Sequence, residues 1–175
     1  MSPKSLQELV DAHYGRLFRA ARFLCGDESV AEDLIQETFL AAADARKRFR
    51  GESSYYTWLY AILLNKFRRW LRQKDSSFLS LSHLTDEDSR RNVAERLEAD
   101  TARPVENVLQ QEAASRVREA IDQLSADHRA VITLRYVEDM SYQEIADAVD
   151  CPLGTVKSRI HYALQQIGQY LEETE

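Results

Sequence analysis

The chain has 175 residues, of which 44% are hydrophobic and 30% are charged, and its formal net charge is -6. Only 5 glycines and 3 prolines occur, so a turn-rich β fold is disfavoured and an all-α protein is predicted. This length allows one ordinary domain or two small ones, and the negative charge argues against a nonspecific nucleic-acid coat. No stretch has the apolar length of a membrane span and no secretory signal is visible, so we expect no membrane insertion and a cytoplasmic location.

The residue types that most often carry metal or catalytic chemistry are scattered. Cys25 and Cys151 lie far apart, and neither has a second Cys or His at metal-binding spacing. The four histidines form no HExxH motif, and neither a glycine-rich phosphate loop nor a paired nucleophile and base is visible. We therefore expect no metal, no cofactor and no enzymatic activity, and we interpret both cysteines as small buried hydrophobes.

The amino-terminal part of the chain predicts two helices. Apolar residues recur at three-and-four spacing from Leu6 to Leu24, and Gly26 closes this first amphipathic helix. Asp27 is placed to cap a second helix, which runs into a basic segment and is broken by Gly51.

A polar and aromatic loop follows, and Ser54 can cap a third helix that extends to about Lys74. The three helices are predicted to form one small bundle within residues 1–74. Residues 75–104 are rich in Ser, Asp, Glu and Arg, and we interpret them as a flexible interdomain linker that ends at Pro104.

Residues 105–175 predict a second small helical domain. Helical periodicity returns from Val105, and Ser125 and Asp127 can start the next helix. The pattern Ser141-Tyr-Gln-Glu144 is a capping box, which predicts a helix from there to about Val149.

A tight turn follows, because Pro152 lacks an amide hydrogen and Gly154 gives the backbone freedom just before Thr155. We expect Thr155 to cap the last helix. The predicted buried face of that helix consists of Val156, Ile160, Ala163, Leu164, Ile167 and Leu171.

Two short helices joined by a tight turn are what docking into the DNA major groove requires. The second helix would open with exposed Thr, Lys, Ser and Arg, so that Lys157 and Arg159 could reach phosphates or guanine edges. An ordinary helical hairpin with a solvated basic end is the alternative. The coincidence of turn, cap and cationic first turn favours DNA binding.

Charge is distributed unevenly in the first domain. Residues 27–37 contain five acidic side chains and no basic one, whereas residues 45–74 contain nine Lys or Arg and a single acid. Basic charge interleaved with aromatic rings is typical of single-strand binding, although Trp58, Leu59 and Phe67 at helical spacing equally fit a helix core. For Trp58 we favour the core. The two charge clusters indicate two different partners.

The segment SYQEIADAVDCPLGTVKSRIHYAL closely resembles the region-four helix-turn-helix of extracytoplasmic-function sigma factors, and LSADHRAVITLRYVEDM resembles its lead-in. Likewise, AEDLIQETFLAA and FRGESSYYTWLYAILLN are similar to region two of the same family, in the expected order. A lone helix-turn-helix would also fit response-regulator output domains, but the additional amino-terminal module makes that interpretation weaker.

The resemblance implies a sigma factor that directs RNA polymerase core to promoters, with region two in residues 1–74 and region four in 105–175. Its implied partners are the polymerase clamp helices, promoter DNA and an anti-sigma protein. The residues implied to bind polymerase are Asp33, Gln36 and Glu37. Those implied to bind the minus-ten element, with both tyrosines in the loop, are Arg50, Ser53, Ser54, Tyr55, Tyr56, Asn65, Arg68 and Arg69. Those implied to bind the minus-thirty-five element are Ser141, Thr155, Lys157, Ser158 and Arg159.

Several positions differ from the family pattern. Ala43 stands where a Trp is common and Ala61 where an Arg is common, while Leu63 and Leu64 make the next turn unusually apolar, which bears on the detailed strand contacts. Asp150 stands where the turn usually has Gly, and Asp tolerates left-handed backbone geometry better than most residues.

Two other classes of function fit the same residues. A stand-alone DNA-binding regulator would use the first bundle for interaction or dimerisation and bind duplex without polymerase. A protein-interaction adaptor would keep the helix-turn-helix only as a scaffold.

Overall fold

The computed structural model describes residues 5–81 and 106–173, and all regular elements in these two ranges are helical. The expected all-α class is confirmed. Most of the predicted linker, residues 82–104, lies outside the described residues. Its first seven residues, 75–81, are helical.

We call residues 5–81 the amino-terminal module. Its elements are α1 (Leu6–Cys25), α2 (Glu28–Ala45), a 3-10 turn (Arg46–Arg48) and α3 (Tyr55–Leu81). The predicted helix ends are confirmed by their hydrogen bonds. Gly26 adopts a left-handed φ of 74° after α1, and the Asp27 carboxylate accepts a hydrogen bond from the Val30 amide. The Ser54 hydroxyl oxygen accepts one from the Thr57 amide at 3.1 Å.

The third helix differs from the prediction at both ends. It runs seven residues beyond Lys74, to Leu81, and it begins at Tyr55, so the placement of Tyr55 and Tyr56 in the loop is wrong. Because Ser54 caps the helix, the residues directly after it are already helical. Tyr56 points into the core and is 4% exposed.

We call residues 106–173 the carboxy-terminal module. Its elements are α4 (Glu106–Asp122), α5 (Ala126–Ile132), a π-helical turn that continues α5 (Thr133–Val137), α6 (Tyr142–Val149) and α7 (Leu153–Glu173). The predicted capping box at α6 is confirmed, since the Ser141 oxygen accepts from the Glu144 amide and the Glu144 carboxylate accepts from the Ser141 amide. Asp150 ends α6 with a left-handed backbone, φ 51° and ψ 57°.

The last helix begins at Leu153, three residues before the Val156 start that a Thr155 cap predicts. Thr155 does not cap it, because the Pro152 carbonyl already accepts hydrogen bonds from the Thr155 amide at 2.8 Å and the Val156 amide at 3.1 Å. Gly154 is therefore helical. Leu164 is also misplaced in the predicted buried face, since it is 45% exposed. The stripe that packs inward follows Val156, Ile160 and Ala163, and Leu164 lies at its edge.

The two modules pack against each other. A single cluster of buried apolar side chains contains Leu17 and Leu63 from the amino-terminal module and Leu134 and Ile145 from the carboxy-terminal module. α3 contacts both α5 and α6, and α1 contacts the π-helical turn. Burial of apolar surface from both modules in one core stabilises this closed arrangement.

Two arginines of the carboxy-terminal module bind the end of α1. Arg129 Nη1 donates to the Leu24 carbonyl at 2.7 Å, and Arg118 Nη1 donates to the Phe23 carbonyl at 2.6 Å. The last carbonyls of a helix lack intrahelical partners and carry partial negative charge, so guanidinium groups are well suited to them. Arg129 is only 4% exposed, and burial lowers its pKa.

The glycine that ends α1 is expected to be intolerant of a side chain. A Cβ at Gly26 would lie 2.5 Å from the Arg118 guanidinium, and the backbone at Gly26 is left-handed, which strains any residue with a side chain. Gly26→Ala should therefore lower the free energy of unfolding by about 1–2 kcal/mol or more. Gly15→Ala is the control, because Gly15 lies within α1 with no atom within 4 Å of its Cβ, and it should stabilise by about 0.5–1 kcal/mol. Urea unfolding followed by circular dichroism measures both, and equal effects would contradict the assigned geometry.

The capping box of α6 should make stability depend on pH. Hydrogen bonds from the Ser141 hydroxyl and amide lower the pKa of Glu144 below its usual value. The carboxylate therefore stabilises the fold above the ordinary glutamate pKa of about 4.3, and this contribution is lost as pH falls through the lowered folded-state pKa. Glu144→Gln should therefore reduce the fall in the free energy of unfolding at acid pH, which urea titrations at a series of pH values measure. Glu172→Gln, outside the capping box, should leave the profile unchanged.

Candidate nucleic-acid interface

The residues expected to bind polymerase lie together on α2. Asp33, Gln36 and Glu37 are all exposed, and their spacing places them on one helix face. Glu37 Oε2 lies 3.1 Å from the Nζ of Lys66 on α3. This acidic face therefore borders the basic helix of the same module.

A groove between α2 and α3 brings the acidic and basic sets together. Asp33 and Glu37 line one side, whereas Lys66 and Arg69 line the other. The remaining lining residues are Val30, Leu34, Trp70 and Gln73. The candidate polymerase-binding and minus-ten sets are thus adjacent, although sequence reasoning treated them as two separate surfaces.

The loop before α3 carries exposed charge beside an aromatic cluster. Arg50 is exposed and lies 3.9 Å from the Glu52 carboxylate, and Ser53 is partly exposed. The Phe49 ring stacks on Tyr55 with 4.5 Å between ring centroids and lies 5.0 Å from the Trp58 ring. Trp58 packs against the core, as favoured from its spacing.

Tyr56 is covered by residues that the sequence did not connect with it. The Arg16 guanidinium lies 3.9 Å above its ring, and Arg16 Nε donates to the Glu138 carboxylate at 2.9 Å. The Glu138 side chain, from the carboxy-terminal module, is 1% exposed. Burial, followed by the nearby Glu138 charge, raises the pKa of Tyr56 far above its usual value, so the phenol is neutral.

The two α3 arginines of the predicted minus-ten set differ, because Arg68 is paired with a carboxylate whereas Arg69 forms no ion pair with another described residue. Asn65 and Arg69 are exposed. Arg68 Nη1 donates to the Asn65 side chain at 3.2 Å, while its Nε and Nη2 donate to Asp127 of the other module at 2.9 and 2.6 Å. In the closed arrangement, Arg68, one of the cations predicted to bind the melted strand, is therefore already paired with Asp127.

The first turns of α7 present part of the predicted duplex-binding set. Lys157 and Ser158 are exposed, and Lys157 forms no ion pair with another described residue. Thr155 is partly exposed, and the Ser141 hydroxyl is engaged in the α6 capping box. Arg159 Nη2 donates to Asp127 at 2.7 Å, so this second arginine is also paired.

Neither a metal cluster nor a membrane-spanning helix occurs in the described part of the chain. Within residues 5–81 and 106–173, no group of three or more His, Cys, Asp or Glu side chains could hold a metal ion. None of the described helices is long and apolar enough to cross a bilayer. Cys25 is buried, which raises the pKa of its thiol, and Cys151 is partly buried.

The residues that sequence reasoning missed act over long sequence separations. Asp127 was identified only as part of a helix start, yet it binds arginines 59 and 32 positions away. Glu138 and Arg16 meet across 122 positions. No local spacing reports such pairs, since they exist only once the modules pack together.

Comparison with known proteins agrees with this organisation. Residues 9–77 match the family Sigma-70 region 2, and residues 114–167 match Sigma-70, region 4. The first match covers α1, α2 and most of α3, and the second covers the helix-turn-helix.

Individual relatives resemble more than three quarters of the chain. The RNA polymerase sigma-H factor of Pseudomonas aeruginosa is 36% identical over 151 residues, which is 83% of this chain and 75% of that protein. The ECF RNA polymerase sigma-E factor of Escherichia coli K12 is 37% identical over 139 residues, which is 77% of this chain and 70% of that protein.

A solved structure extends the agreement to the fold. The sigma factor RpoE of Bartonella quintana, crystallised with the anti-sigma factor NepR, superimposes with a TM-score of 0.66 at 25% identity. The match covers 95% of this chain and 96% of that one. The chain therefore belongs to the extracytoplasmic-function sigma factors of the sigma-70 family, the proteins through which RNA polymerase initiates transcription at particular promoters.

Proposed function

We propose that this chain acts in the cytoplasm, binds RNA polymerase core through the acidic face of α2, and recognises promoters at both the minus-ten and the minus-thirty-five elements. One observation carries the proposal. The module that matches region two has an exposed acidic face at Asp33 and Glu37. The module that matches region four has an exposed cationic helix start at Lys157 and Ser158.

The carboxy-terminal module would recognise duplex DNA. Its α7 enters the major groove, where Lys157 binds phosphates or guanine edges, as does Arg159 once it is released from Asp127. Ser158 and Thr155 supply hydroxyls. Ser141 supports this arrangement by capping α6, the helix that would cross the DNA backbone.

The amino-terminal module would hold the melted minus-ten strand. Arg50 and Ser53 in the loop meet an extruded base, Tyr55 offers a ring edge, and Asn65, Arg68 and Arg69 bind the strand backbone. Ser54 holds the start of α3, and Tyr56 contributes as buried support. Extruding a base costs a few kcal/mol, which these contacts offset, and tighter binding of the open strand shifts the melting equilibrium without nucleotide hydrolysis.

An anti-sigma protein is the third proposed partner. The RpoE structure that resembles this chain contains the anti-sigma factor NepR, and CnrH, a chain of the same fold, was solved in complex with the cytosolic domain of CnrY. Such a partner would cover the polymerase-binding and DNA-binding faces.

The direct test of the proposal is transcription in vitro with core polymerase and a pool of genomic fragments. The intact chain should yield specific transcripts that core polymerase alone does not produce. If no fragment supports initiation, the proposal is wrong. Duplex binding that persists without any initiation would indicate the stand-alone regulator instead.

The α2 face gives a prediction for polymerase binding. Asp33→Arg reverses a charge in the groove beside Lys66 and Arg69, so affinity for core polymerase should fall by about tenfold or more. Asp11→Arg makes the same reversal at an exposed position of α1 and is the matched control. Core-binding titrations with fluorescently labelled protein measure both, and equal losses would show that the α2 face is not the contact.

The α7 start gives a prediction for promoter DNA. Lys157→Gln should weaken duplex binding about equally for all sequences and lower the slope of log K against log salt by about 1, as expected when one phosphate contact is lost. Gln169→Glu, an exposed change on the same helix with the same net charge difference, should leave the slope unchanged. Anisotropy titrations over a salt series measure the slopes, and an unchanged slope for Lys157→Gln would contradict the phosphate contact.

A further inference from the structure

One carboxylate joins the two modules at the centre of the proposed DNA-binding residues. Asp127, in the first turn of α5, accepts hydrogen bonds on Oδ1 from Arg68 of α3 and on Oδ2 from Arg159 of α7. The three distances are 2.9, 2.6 and 2.7 Å, and the three side chains are between 25% and 33% exposed. We call this group the Asp127 bridge.

The bridge occupies donors that DNA would need. A guanidinium binds a carboxylate and a phosphate in the same planar geometry, so neither arginine can pair with Asp127 and with the DNA backbone through the same nitrogens. Arg68 belongs to the proposed minus-ten set and Arg159 to the minus-thirty-five set. A single carboxylate is therefore paired with one cation from each proposed DNA-binding surface.

Neighbouring contacts place the carboxy-terminal module over α3. The Tyr60 hydroxyl donates to the Ala130 carbonyl at 3.2 Å, and Glu138 lies buried against Tyr56 and Arg16 near the start of the helix. The side of α3 that carries Tyr56, Tyr60 and Arg68 is thus covered or partly covered in the closed arrangement, whereas Asn65 and Arg69 are exposed. Uncovering it requires the Asp127 bridge to break.

We infer that Asp127 is an internal competitor for DNA phosphate, which adds to the shared apolar core in holding the modules closed and keeps the free chain from binding DNA strongly. This inference rests on the proposed function, because it takes the two arginines as DNA contacts. Promoter DNA, presented with polymerase, displaces the carboxylate from both guanidinium groups. In the free chain the bridge lowers DNA affinity without contacting DNA itself.

The inference predicts a gain of binding when the acid is neutralised. Asp127→Asn in the full chain should raise affinity for a fluorescent 30-base-pair duplex, without polymerase, by about five- to tenfold, the scale of two partly exposed ion pairs. Asp147→Asn is the matched control, because it removes one exposed negative charge from the same module outside the bridge. If both variants gain equally, the effect is general charge and the inference is wrong.

A second measurement does not depend on DNA. Small-angle X-ray scattering of the free chain should give a larger radius of gyration for Asp127→Asn than for the wild type or Asp147→Asn. Arg68→Gln removes only the pair between Arg68 and Asp127, which joins the two modules, and it should produce the same expansion. This second variant keeps the test valid if Asp127→Asn does not fold. Unchanged compactness of the folded variants would overturn the inference.

The two measurements separate this inference from the proposed function. A wild-type chain that never initiates transcription with core polymerase refutes the function, while expansion of the Asp127→Asn variant still supports the closed bridge. A wild-type chain that initiates normally, with an Asp127→Asn variant that behaves like Asp147→Asn in both assays, refutes the bridge alone.

Discussion

The buried guanidinium of Arg129, on α5, joins the ends of α1 and α4. Its Nη1 donates to the last turn of α1, and its Nη2 donates to the carbonyls of Asp122 and Leu124 at the end of α4 and just after it. A buried cation is costly unless its donors are satisfied, and the free carbonyls at helix ends are acceptors that side chains must satisfy. Together with the shared apolar core, this residue therefore positions α5 on the amino-terminal module, and with it Asp127.

The local features of the fold could be predicted from the sequence, whereas the pairing between modules could not. Gly26, Asp27, Ser54 and the Ser141 capping box act within four residues, so their patterns identify helix ends directly. Asp150 was also understood, because its side chain tolerates the left-handed turn. The start of α7 was missed because the Pro152 carbonyl, which no side-chain pattern reveals, receives the first amides.

The candidate site was predicted as residue sets and not as an arrangement. Helical spacing placed Asp33, Gln36 and Glu37 on one face, but it could not show that Lys66 and Arg69 border the same groove. Binding of polymerase to the acidic side would change the electrostatic surroundings of the basic side, so the two proposed events are physically linked. Tyr56 shows the same limit, since its burial depends on residues from a distant part of the chain.

The contacts of Arg118 and Arg129 with α1 also bear on how sequence change affects this interface. Both arginines donate to main-chain oxygens of Phe23 and Leu24, and a main-chain oxygen is present whatever side chain occupies the position. Replacement of either α1 residue leaves the acceptor in place, whereas replacement of either arginine removes the donor. Substitutions at Phe23 and Leu24 should therefore be tolerated better at this interface than substitutions at Arg118 and Arg129.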